Sequence, residues 1–170
     1  MVSGDIAWFT ACGAQLRADE RAAAASYLAA LGLPPVPVEG VGTWREAAAT
    51  VQRDDWGRDW WQAEENERAA LYRVAAASLG EGALLTRLSA AMEATAEPIH
   101  HAASAVLARA GIADEALARV AAGAASQACH QKALAEAVGR GAEHAFAIKY
   151  RLYRAGRWLL GVVGERCFVF

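Results

Sequence analysis

Residues 71–92 read LYRVAAASLGEGALLTRLSAAM. Two apolar runs of helical period flank the joint Gly80-Glu81-Gly82. Leu71, Val74 and Ser78 recur at helical spacing before it, and Leu85, Leu88 and Met92 after it. Glycine ends the first helix, and so short a joint turns the second back antiparallel to it. The arrangement recurs at Gly111-Ile112-Ala113 and Gly139-Arg140-Gly141. Four long helices are therefore predicted, over about 55–79, 83–110, 114–138 and 142–160, as an up-down-up-down four-helix bundle in an all-α fold. Asp114 caps the third, and Pro98 kinks the second.

Working toward the N-terminus, Thr43-Trp44-Arg45-Glu46 is a capping box that opens a helix to about residue 52. Before it, GLPPVPVEGVG (32–42) is a Pro/Gly/Val connector with no helical period, expected to run extended across the surface. Asp19 and Glu20 mark the first turn of a helix that ends at Gly32, and Ser3 caps a short helix over about residues 4–13. At the other end, GVVGERCFVF (161–170) is too apolar to stand in solvent and is expected to dock on the bundle as an extended tail, with partner binding as the other reading. A single helical domain is expected over residues 1–170: N-terminal helices and connector (1–52), bundle (53–160) and tail (161–170).

Composition agrees. Forty-four of the 170 residues are Ala, the best helix former and a side chain that lets helices approach closely. Lys plus Arg number 17 against 19 Asp plus Glu, a net charge of −2 without the basic field that nucleic acid demands. Cys12, Cys129 and Cys167 are odd in number and lack CxxC spacing, which argues against a disulfide framework or structural zinc and for reduced thiols in a cytoplasmic protein. The N-terminus does not read as a signal peptide, and the Ala22–Val38 stretch is broken by Gly32 and the prolines, so no membrane span is expected.

Within the apolar stripes the interruptions carry the chemistry. Trp60, Glu64, Glu67, Leu71, Val74 and Ser78 share one helical line, placing two carboxylates between a Trp and a Leu. Folding the hairpins about their joints sets Glu97 and His100 near the height of Glu64, then Gln127 and His130, then Lys149, Tyr150 and Tyr153. A polar band thus crosses four helices, and a hydrogen-bonded network is its simplest explanation. A metal site is the alternative, with Glu64, Glu97, His100 and His130 as ligands of iron, manganese or zinc and Tyr150 or Tyr153 behind them. Glu97-Pro98-Ile99-His100 resembles the Glu-x-x-His motif of ferritin-like di-iron bundles. The resemblance covers the bundle plan and that motif. Gln127-Ala128-Cys129-His130 has Gln where a carboxylate belongs, and the last helix offers no Glu at this height. A small organic ligand between the helices would meet Trp60, Gln127, Tyr150 and Tyr153.

Arg151, Arg154 and Arg157 recur every three residues, either to pair with the acidic start of the first long helix or to bind an anion. Trp56, Trp60 and Trp61 form a cluster that closes the core or offers a recognition platform. Hairpin counting pairs His144 with Glu136. No Walker loop, GxGxxG, HExxH or GxSxG motif is present. The expected role is binding or assembly, as a homodimer whose Ala-rich stripes face a second subunit. A metal-dependent carboxylate–histidine enzyme is the alternative.

Overall fold

The structure is a computed structural model that describes residues 6–170. Among the described residues the order is α1 (Ala18–Ala30), β1 (Val38–Gly40), α2 (Trp44–Val51), α3 (Arg58–Leu79), α4 (Glu81–Arg109), α5 (Glu115–Ala137), α6 (Ala145–Arg154), β2 (Leu159–Val163) and β3 (Arg166–Val169). The molecule is mostly helical, and no described helix is long and apolar enough to cross a membrane.

The helix ends follow the local chemistry. Thr43 Oγ1 accepts from the Glu46 N–H at 3.1 Å, while the Glu46 carboxylate reaches the Gly42 N–H at 2.9 Å, one residue before the cap. Asp114 caps α5 through the Leu117 N–H at 2.9 Å. Pro98 lies inside α4 without ending it. It is exposed, so the Ala94 carbonyl it leaves without an N–H faces water. α4 packs on α5, α5 on α6, α3 on both α4 and α5, and α1 lies along α6.

The expected all-α fold is corrected by a three-stranded sheet of order β1-β3-β2. The connector supplies β1, which runs parallel to β3 with Val38 opposite Cys167 and Gly40 opposite Val169. β2 and β3 form an antiparallel hairpin, Val163 opposite Arg166, closed by Gly164-Glu165. Gly164 has φ +59°, the first central position of a type II′ turn, which matches the twist of the strands it joins. The tail therefore docks within the same chain as expected, but as two strands rather than one. The last helix stops at Arg154, not near 160, because Leu159 and Leu160 belong to β2. The short helix expected over 4–13 is also corrected: residues 8–13 form turns that bury Trp8 and Phe9, and its first residues lie outside the described ones.

The core joins sheet and helices. Trp44 lies edge-on to Phe170 at 4.8 Å between ring centres and against Trp158 at 5.9 Å, with Phe9 beside both. Gly161 has φ +115°, and a Cβ there would lie 2.3 Å from the Trp60 ring, so only glycine lets β2 pass beneath that indole.

Candidate functional site

The centre of the molecule is a carboxylate. α3 buries Glu64, 5% exposed, among side chains from three other helices. Lys149 of α6, 4% exposed, donates to Glu64 Oε1 at 2.5 Å. The Tyr27 hydroxyl of α1 donates to the same oxygen at 2.5 Å. Gln131 Nε2 of α5 donates to Oε2 at 3.3 Å. Trp60 Nε1, one turn up α3, donates to the Tyr27 oxygen at 2.7 Å. An isolated carboxylate would be expelled from such a place, but here one charge is matched and both oxygens are used.

Burial, and then the charge of Glu64, pushes the Tyr27 phenol well above its ordinary range, so it stays a neutral donor. Tyr153, buried and donating to the Leu159 carbonyl at 3.2 Å, is raised chiefly by burial as well. The arrangement fixes the relative positions of α1, α3, α5 and α6. Both oxygens of Glu64 are engaged in doing so.

A second buried pair ties the N-terminal turns to the sheet. Arg157 donates to Glu20 at 2.8 Å and to the carbonyls of Ala11, Ala14 and Gln15 at 2.6 to 2.9 Å. Burial alone would raise the Glu20 carboxyl, but Arg157 and the Arg17 N–H hold it below the usual range.

The four side chains expected as metal ligands do not share one cluster. Glu64 is enclosed by Tyr27, Lys149 and Gln131. Glu97 is exposed, and exposed His100 meets Glu115 at 3.2 Å. His130 lines a groove of about 400 Å³ with Arg68, Tyr72, Leu85, Leu88 and Met92. Burial, and then the charge of Arg68, lowers its pKa. Among the described residues no group of three or more His, Cys, Asp or Glu side chains is disposed to hold a metal ion.

The ligand-contact set is likewise dispersed. Tyr153 is in the core, Gln127 is exposed, and Tyr150 sits under Lys132 Nζ at 4.9 Å from its ring centre. Trp60 alone of that set lines the cleft of about 580 Å³ bounded by Leu33–Pro37, Gly57–Trp60 and the β2–β3 turn. Trp56 stacks on Trp60 at 6.3 Å, while Trp61 points outward, 57% exposed. Of the three arginines, Arg157 is consumed by Glu20, whereas Arg151 and Arg154 are exposed. The His144–Glu136 pair is replaced: His144 Nε2 bonds Glu67 at 2.9 Å, its Nδ1 accepts the Phe146 N–H at the start of α6, and Glu136 pairs with Lys132.

Sequence reasoning placed Glu64 and Lys149 at one height but missed Tyr27, Glu20 and Gln131. Tyr27 and Glu20 lie on α1, outside the hairpins whose counting sets the height. Gln131 lies one residue past His130, about 100° around the helix.

No protein-family model matches the chain, and neither a curated protein nor a solved structure does.

Proposed function

We propose that this chain is a small helical protein with a binding or assembly role, acting as a homodimer. The observation that carries the reading is the uncovered first half of α4. That half is buried along a narrow stripe, Leu84 and Leu88, while Ala83, Leu85, Ala90, Ala94 and Ala96 lie in the open. Between residues 81 and 98 its charges are Glu81, Arg87, Glu93 and Glu97 alone. Thr86 and Ser89 are the other exposed polar side chains of that half, so Ala and Leu take a larger share of its open surface than a solvated helix ordinarily shows, as a contact surface would. Leu85, 49% exposed on the flank that lines the His130 groove, and Val74 of α3, 56% exposed, are further apolar side chains left open on the hairpin, away from the line of Ala83, Ala90 and Ala94.

The reading keeps α3, α4, α5 and α6 as an up-down-up-down set, which the short joints at Gly80, Gly111 and Gly139 support. It places the protein in the cytoplasm, where its three free cysteines would stay reduced. Sedimentation velocity over a hundredfold dilution tests it. A species of twice 18.0 kDa that dissociates on dilution is expected. A species of 18.0 kDa at every concentration overturns the reading.

A further inference from the structure

We infer that the second copy docks antiparallel along the outer face of α4, about a two-fold axis level with Met92. The inference rests on the homodimer reading and names its surface.

Ala83, Arg87, Ala90, Ala94, Glu97 and His101 recur at alternating steps of four and three, so they form one line along α4. All six are exposed, and the line lies opposite the side that buries Leu88, Ile99 and Ala103. When two identical helices pack antiparallel, the two kinds of seam position face each other across the two-fold axis. Centring that axis on residue 92 sets Arg87 level with Glu97 of the other copy, Ala90 with Ala94, and Ala83 with His101.

The charges select this register. The Arg87–Glu97 pair forms twice, once on each side of the axis, and no like charges meet along the central line of the seam. A parallel pairing in register would set Arg87 against Arg87 and Glu97 against Glu97. Between the two ion pairs lie only Ala90 and Ala94 from each helix, small enough to bring the axes to about 8 Å, the close end of helix packing. Arg87 and Glu97 have no ion-pair partner within the chain among the described residues, so both are free to pair across the seam. At the edge of the seam Glu93 stands beside its own copy, a like-charge contact that opposes association.

The test is sedimentation velocity on charge-reversed variants, with circular dichroism to confirm the fold; each position is exposed, so folding is expected to survive. Arg87→Glu and Glu97→Arg should each weaken the dimer by about tenfold or more, and the double variant should return it to near the parental value. Glu93→Gln should tighten it. Ala90→Cys/Ala94→Cys should form a disulfide-linked dimer on mild oxidation, while Ala29→Cys on the exposed face of α1 should not. A dimer of unchanged strength in all charge variants, with no cross-link from the double cysteine, overturns this surface and leaves the homodimer standing. A parental chain that is monomeric at every concentration overturns the homodimer reading and this surface together.

Discussion

Lys149→Met removes the cation from the Glu64 cluster and leaves the rest of the cluster intact. Glu64 would keep Tyr27 on one oxygen and Gln131 on the other, but lose its counter-charge and a charged hydrogen bond of 2.5 Å. With the carboxylate 5% exposed, water cannot replace the ammonium. Breaking one side of a buried ion pair costs about 3–5 kcal/mol. That is a large part of the roughly 5–15 kcal/mol by which domains are stable. Glu64→Gln should cost a similar amount, because it strands the ammonium instead.

The double variant Glu64→Gln/Lys149→Met retains an amide oxygen for the Tyr27 hydroxyl and carries neither charge. It should cost about 1–2 kcal/mol, well below the sum of the singles. Urea unfolding followed by circular dichroism, at one fixed protein concentration because association shifts apparent stability, reads all three. If Lys149→Met costs less than about 1 kcal/mol, or if the two substitutions are additive, the charges are not coupled and the account of the cluster is refuted.

Alkali should unfold the protein early. Burial pushes Cys12 and Cys167 up to about 12. The unfolded chain therefore ionises its thiols from about pH 9 while the folded chain keeps them protonated, and stability falls as pH rises through that window, by about 1.4 kcal/mol per pH unit for each thiol. Tyr27 and Tyr153, raised as well, add to the loss above about pH 10. Urea midpoints at pH 8, 9.5 and 10.5 check the trend, and a flat profile contradicts it. Gly161→Ala should cost about 2–4 kcal/mol, from an unfavourable φ and a collision with the Trp60 ring, read by the same unfolding assay.

What could be read from the chain alone divides by sequence distance. The long helices follow from period, capping residues and glycine stops, all of which act within a few residues. Gly80, Gly111 and Gly139 do adopt positive φ at those stops. Glu64 stood out because a carboxylate interrupts an apolar line, and hairpin counting reached Lys149 because each joint is short. The same counting selected Gln127 and His130 where the cluster uses Gln131, since height along a helix does not fix rotation about it. Tyr27, Glu20 and the pairing of β1 with β3 left no local trace. The connector reads as irregular because its few strand residues gain a partner only from the far end of the chain. The hairpin turn did leave a signal, Gly164 between two apolar runs.

The parallel pairing of β1 with β3 also orders events in time. Arg166 and Glu39, which link these strands, are 127 positions apart, and Arg157 and Glu20 are 137 apart. The α3–α4, α4–α5 and β2–β3 hairpins need only neighbouring segments, whereas β1 cannot pair with the central strand β3 until a chain-length loop has closed. Refolding should therefore show helical signal well before the Trp44–Trp158–Phe170 cluster becomes rigid. In that interval α3 to α5 would be formed with the surface beneath the sheet still open.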